Sequence, residues 1–174
     1  MKALITGASS GIGRDMALLL SKKGYDLIIA SRNTKKMEQV QKKLCTHVEI
    51  ITVDLSNTED CYKLYNIVKQ QDIDVVINNA GFGAFGNFWD IPLQKELNMI
   101  DLNVKAVHIL TKLFVDYFRQ KNKGYIMNVA SSAAFLPGPL MSTYYATKAY
   151  VLRMTEAVCK ELQKENSNVK ISVL

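Results

Sequence analysis

The stretch Lys2-Ala3-Leu4-Ile5-Thr6-Gly7-Ala8-Ser9-Ser10-Gly11-Ile12-Gly13-Arg14-Asp15-Met16 decides how this chain folds. A short, mostly apolar run at 2–6 meets a turn built of Gly, Ala and Ser, and the turn opens a helical stretch at about 11–23. The glycines are spaced G-x-x-x-G-x-G, not the commoner G-x-G-x-x-G. The physical logic is the same in both: a tight turn, close backbone approach to a pyrophosphate, and a helix N-terminus aimed at its negative charge. Without a ligand the stretch is an ordinary strand-to-helix turn, but its place at the first turn of a βα series favours binding.

Reading outward, strands are expected at 26–30, 48–53, 74–78, 125–129 and 169–174, with helices at 34–44, 57–71, 93–121 and 144–166. Most of the strand runs are continuously apolar, as a parallel sheet covered on both faces requires. Strict alternation predicts an α/β fold: a doubly wound parallel sheet of Rossmann type in a three-layer αβα arrangement, forming one domain over 1–174. In the longest helical stretch Leu93, Leu97, Ile100, Val104, Val107, Leu110, Phe114 and Phe118 step by three or four, which predicts one buried stripe. The Gly- and Pro-containing stretches 81–92 and 135–142 each follow a strand, where ligands bind in such sheets.

Composition removes several function classes. Hydrophobic residues make up 48% and charged residues 22%, an ordinary globular balance. No apolar run approaches the ~20 residues that span a bilayer, and the N-terminal run is too short for a signal peptide. A cytoplasmic protein with no membrane partner is expected. Cys45, Cys61 and Cys159 are scattered and only His47 and His108 could join them, so neither a disulfide framework nor a metal site is expected. The net charge of +6 raises nucleic acid as a partner. The lysines, however, fall in helical pairs (Lys22-Lys23, Lys35-Lys36, Lys42-Lys43) without interleaved aromatics, which is a solvated face, not a base-stacking platform.

Two further constellations carry chemistry. At the end of the second strand, where an NAD protein has an acid for the ribose 2′-hydroxyl, this chain has Ser31-Arg32. Arg32 suits a 2′-phosphate, with Ser31 as a small hydrogen-bonding neighbour, so NADP(H) is expected over NAD(H). Later, Tyr144 and Lys148 stand four apart at the opening of a helix and share one face. A phenol is a poor acid–base group near neutrality, with an ordinary pKa of ~10, and a neighbouring ammonium favours its ionised form. Ser131 and Ser132 precede the pair at the end of the fifth strand, and Tyr145 follows Tyr144 directly; only Tyr144 has a lysine four residues on.

Together, T-G-x-x-x-G-x-G at 6–13, N-N-A-G at 78–81, the serine at 131 and Y-x-x-x-K at 144–148 resemble the short-chain dehydrogenase/reductase family, with every motif in order along the chain. Residues 79–86 and 129–132 look closest to a bacterial branch of undefined substrate. The resemblance implies that Gly7, Ser9, Ser10, Gly11, Ile12 and Gly13 hold the cofactor's phosphates, that Asp54 and Leu55 meet the adenine, and that Asn79, Ala80 and Gly81 lie beside the cofactor. It selects Ser131 to hydrogen-bond a carbonyl oxygen and Tyr144 to give it a proton. Lys148 would assist the tyrosine and hold the nicotinamide ribose, while Asn103 would hold a relay water. It further implies a small carbonyl or alcohol substrate and a homodimer or homotetramer.

Similar enzymes continue beyond this point with a substrate-covering loop and a last strand, so the chain looks short of the family's C-terminal end. The leading expectation is an NADPH-dependent carbonyl reductase acting on a ketone or 3-oxoacyl group. The alternative is an NADP(H)-binding regulator or catalytically impaired relative. Phe82, Phe85, Phe88, Trp89, Phe135, Leu136, Leu140 and Met141 would line an apolar cleft or belong to the core.

Overall fold

Apolar side chains on both faces of each strand need cover on both sides, and the chain supplies it with helices. The computed structural model describes residues 1–174. Strands β1 (Lys2–Thr6), β2 (Asp26–Ser31), β3 (Val48–Thr52), β4 (Val75–Asn78), β5 (Gly124–Asn128) and β6 (Val169–Val173) form one sheet. Their order is β3-β2-β1-β4-β5-β6, with every neighbouring pair parallel. The helices are α1 (Gly11–Lys22), α2 (Thr34–Gln41), α3 (Thr58–Val68), α4 (Leu93–Ile100), α5 (Val107–Lys121) and α6 (Ser142–Lys164). This is the doubly wound α/β arrangement, and its order reverses direction between β1 and β4. The crevice beyond the C-terminal ends of those two strands is where such sheets bind ligands.

Alternation along the strands divides the core into two layers. Leu4, Ile28, Val76 and Ile126 face α3 and α5, where they meet Leu64, Val68, Leu110, Phe114 and Phe118. Ala3, Ile5, Leu27 and Ile29 face the other way, against Ala17 of α1 and Met37 and Val40 of α2. Leu4 pairs with Ile28 on one side and Val76 on the other, so β1 is central and fully enclosed.

The single stripe expected over 93–121 is corrected. Leu93, Leu97 and Ile100 are 69%, 43% and 39% exposed, whereas Val107, Leu110, Phe114 and Phe118 are buried. The cause is a π-helical segment, Asp101–Ala106, joining α4 to α5. A π turn takes in one extra residue, and each residue turns a helix by about 100°. The buried face of α4 is therefore out of phase with that of α5, and Glu96 and Met99 occupy it instead. Elsewhere α2 stops at Gln41, and α6 begins at Ser142, which puts Tyr144 in its first turn. A 3-10 turn, Ser132–Phe135, follows the fifth strand. No helix is long and apolar enough to cross a membrane.

Candidate active site

The glycine turn after β1 is shaped by what lies against it. Gly7 and Gly11 have φ of +67° and +54°, a region that side chains disfavour. Gly13 is needed for space instead: a Cβ there would stand 2.4 Å from Asn79 Nδ2 and 2.6 Å from the Gly7 carbonyl oxygen. The far side of this contact is built by Thr6, whose Oγ1 accepts the N–H groups of Asn79 at 3.0 Å and Ala80 at 3.1 Å. Asn79 Nδ2 in turn donates to the carbonyls of Thr6 and Gly7, at 3.0 and 3.2 Å. Asn79 thus braces the turn as well as lining the crevice. Thr6 enters the sequence reading only as the first letter of the glycine motif, and its supporting role comes from these bonds. Replacing Gly13 with Ala is expected to destabilise the protein by about 1–3 kcal/mol, measured by urea unfolding, because neither the Gly7 backbone nor the Asn79 amide can retreat.

The start of α1 is left open to an anion. Ser10 occupies the cap position without a side-chain cap bond, and no acid stands in the first turn. By contrast, α2 and α3 are capped by Asn33 and Asn57. The unpaired N–H groups and the helix dipole of α1 therefore favour negative charge at its mouth. Ser31 Oγ donates to Ser9 Oγ at 3.1 Å, tying the end of β2 to the glycine turn. Beside it the Arg32 guanidinium lies 3.8 Å from Asp54, with both side chains substantially exposed. Asp54 also accepts from the backbone and hydroxyl of Ser56, at 3.1 and 2.7 Å. Leu55 is buried behind it, while Ile12 is exposed at the opening.

At the other end of the crevice, Ser131 has an extended backbone and its Oγ accepts the Ala133 N–H at 3.1 Å. That bond uses an acceptor site and leaves the hydroxyl proton free to donate. Lys148 is buried one helical turn after Tyr144. Its Nζ donates to the Val129 carbonyl at 2.9 Å and stands 5.8 Å from the centre of the Tyr144 ring. Burial lowers the Lys148 pKa from 10.5 to about 8. The loop after β4 backs this pair closely. A Cβ on Gly83 would meet the Tyr144 ring at 3.2 Å, and one on Gly81 would lie 3.4 Å from Lys148 Nζ.

Asn103 sits in the π segment, fully buried behind the crevice wall. Its Oδ1 accepts the Phe82 N–H at 3.1 Å, and its Nδ2 donates to the Phe82 carbonyl at 2.9 Å and to Thr147 Oγ1 at 3.1 Å. Thr147 Oγ1 donates onward to the Tyr144 carbonyl at 2.7 Å. The side chain is thus occupied in holding the glycine loop to α6. Thr147 was not foreseen, since a threonine inside a helix gives no distinguishing signal.

One crevice of about 800 Å³ joins the two ends, within the ~300–1,000 Å³ usual for small-molecule and cofactor sites. Its wall includes the glycine turn, Ser31, Arg32, Asp54 and Leu55, then Asn79 to Gly81, and finally Ser131, Tyr144 and Lys148. Gly13 and Asn103 support the wall without forming it. Ser132 also lines the crevice, but Tyr145 lines a separate apolar depression beside Leu136 and Pro139. Phe85, Phe88, Trp89, Phe135 and Leu136 are each more than 60% exposed, so they belong to the surface and not to the core.

A family model described as short chain dehydrogenase matches residues 1–174. The chain belongs to the short-chain dehydrogenase family. Among curated short-chain dehydrogenase relatives, the very-long-chain 3-oxoacyl-CoA reductase of Coccidioides immitis is 32% identical over 180 residues. That match takes in 98% of this chain and 52% of the relative, so the chain spans about half the relative's length. Among solved structures, a metagenomic short-chain oxidoreductase in complex with NADP superposes with a TM-score of 0.92 at 26% identity, covering 99% of this chain and 80% of that one. A short-chain dehydrogenase/reductase from Burkholderia phymatum in complex with NAD gives a TM-score of 0.93 at 28% identity, covering 99% and 63%.

Proposed function

We propose that this protein is an NADP(H)-dependent oxidoreductase that reduces a carbonyl group, of ketone or 3-oxoacyl type, to an alcohol. The observation that carries the reading is the single crevice shared by the glycine turn and by Ser131, Tyr144 and Lys148. A dinucleotide fits the residues present: the open N-terminus of α1 and the glycine-rich turn suit its phosphates. Gly7, Ser9, Ser10, Gly11, Ile12 and Gly13 would hold that part. Asp54 and Leu55 would meet the adenine, and Asn79, Ala80 and Gly81 would flank the nicotinamide half.

The bound cofactor supplies the hydride, and the chain's own residues do the rest. Ser131 donates its free hydroxyl proton to the carbonyl oxygen and stabilises charge developing there. Tyr144 transfers its proton to the same oxygen as general acid. Lys148 spends one N–H on Val129 and keeps two donors for the ribose hydroxyls. Asn103 holds the loop that backs the pair.

Preference for NADP(H) is supported by Arg32 and by the lack of a carboxylate at the end of β2, although both cofactors occur among the structural neighbours. Arg32→Ala is expected to weaken NADPH binding by about tenfold or more, through lost charge-assisted hydrogen bonds, and to leave NADH binding nearly unchanged. Equal weakening of both, read by fluorescence titration, would remove Arg32 from cofactor choice. The exposed aromatics Phe85, Phe88 and Trp89, on the loop that continues from the crevice-lining Phe82 and Gly83, support a substrate with an apolar substituent.

The deciding experiment follows NADPH oxidation over short ketones, 3-oxoacyl thioesters and sugars. Turnover of the first two classes is expected. Tight NADPH binding without reduction of any carbonyl would instead favour a cofactor-binding regulator.

A further inference from the structure

Two formally charged side chains are buried in the whole chain, Lys148 and Glu96. The first belongs to the crevice. The second has no part in the reaction just described, and burying a carboxylate is unfavourable unless something holds it.

Glu96 lies on α4, 6% exposed, and its Oε1 accepts a hydrogen bond from Thr143 Oγ1 at 2.5 Å. Thr143 is the second residue of α6 and the immediate neighbour of Tyr144. The start of α6 needs outside support. Its cap residue, Met141, makes no side-chain cap bond, and no acid occupies its first turn. The preceding Leu140 is held at a φ of +67°, a conformation that is strained for leucine. A carboxylate from another element, beside the positive end of a 23-residue helix, supplies what the local sequence omits.

The contact also has a counterpart one turn further on. Asn103 bonds Thr147, which precedes Lys148, as Glu96 bonds Thr143, which precedes Tyr144. Two threonines on one side of α6 are therefore tied to the long helical run that includes α4 and the π segment. Each tie sits one residue before a group of the reactive pair.

We infer that Glu96 and Thr143 are positioning residues for Tyr144: their hydrogen bond holds the first turn of α6 so that the phenol faces the crevice in one orientation. This inference rests on the assignment of Tyr144 as proton donor. It concerns orientation of the acid, so binding of cofactor and substrate should survive its loss.

The test compares Glu96→Leu, Glu96→Gln, Thr143→Val and Thr143→Ser. Glu96→Leu and Thr143→Val are expected to lower kcat about 10- to 100-fold, as small misplacements of a reacting group do. KM for the ketone and the NADPH dissociation constant should stay within about twofold of wild type, since neither partner touches those ligands. Thr143→Ser keeps the hydroxyl and Glu96→Gln keeps an acceptor oxygen, so both should stay within a few-fold of wild-type kcat. The double variant Glu96→Leu/Thr143→Val should be no worse than either single change, because both remove one interaction.

A readout independent of turnover is amide hydrogen exchange in the protein with and without NADPH. Faster exchange confined to residues 142–146 is expected in Glu96→Leu and Thr143→Val, and absent in Thr143→Ser. Wild-type kcat and unchanged exchange in both disruptive variants would overturn the inference. So would Thr143→Ser being as impaired as Thr143→Val. If wild type reduces no carbonyl at all, the functional reading fails by itself, and the exchange pattern still decides whether Glu96 holds the turn.

Discussion

Replacing Tyr144 with Phe is expected to lower kcat by about 10² to 10⁴-fold, the range over which a positioned general acid acts, while leaving NADPH affinity within about twofold. The ring contributes shape as well as a hydroxyl: the loop at Gly83 packs against its edge, and that packing survives in phenylalanine. The crevice should therefore keep its form and lose only the proton donor. Tyr145→Phe is the internal control, because Tyr145 lines a different depression, with its ring against Gly138. Steady-state assays with NADPH and any ketone accepted by wild type would decide the matter. Turnover near the wild-type rate in Tyr144→Phe would remove this residue as the acid.

Lys148→Met is expected to make the protein inactive and more stable at the same time. Burial lowers the lysine pKa from 10.5 to about 8, and its hydrogen-bond partner is a neutral carbonyl. A base whose pKa is lower in the folded state opposes folding when protonated. That penalty is full below about pH 8, shrinks as pH rises from there to 10.5, and is absent above that. At one unit per ~1.4 kcal/mol it amounts to about 3 kcal/mol at pH 7. A methionine removes it but leaves the Val129 carbonyl without its donor, which costs about 1 kcal/mol. The net gain of about 2 kcal/mol corresponds to a rise in Tm of roughly 5 °C for a chain of this size. The gain should fade in melts at pH 10. A Met variant that melts below wild type at pH 7 would show that the buried ammonium is not a load on the fold.

Much of this was legible from residue order because the signals were local. The glycine spacing, the apolar strand runs and the Tyr144–Lys148 interval each depend on a few adjacent residues, and the parallel α/β class follows from strict alternation, whereas the strand order comes from the structure. The parts that escaped depend on geometry between distant segments. Nothing near Thr147 or Glu96 in the chain announces a partner, since the bonds that give them meaning cross 44 and 47 residues. The stripe over 93–121 was misread for a related reason. Its period was right on each side, but an inserted residue in the middle changes the phase without changing the pattern. Likewise the resemblance implies only a relay water for Asn103, and its three bonds to Phe82 and Thr147 emerge only from the fold.

The π segment also bears on how this sequence tolerates shortening. Removing one residue between Asp101 and Ala106 would let the run from α4 to α5 continue as a regular α-helix, with better hydrogen-bond geometry at every turn. Because the deletion takes out the inserted residue, Glu96 and Met99 would stay in phase with Leu110 and Phe114, and Leu93, Leu97 and Ile100 would stay on the outer side. By every local criterion the result is a better helix, and a search for stabilising deletions would select it. The same change would remove the bulged turn that presents Asn103 to Phe82 and Thr147, releasing that tie to α6 while Glu96 keeps its face. Helical regularity and a working site are thus opposed at this point in the chain, and the irregular turn is the form that keeps the site.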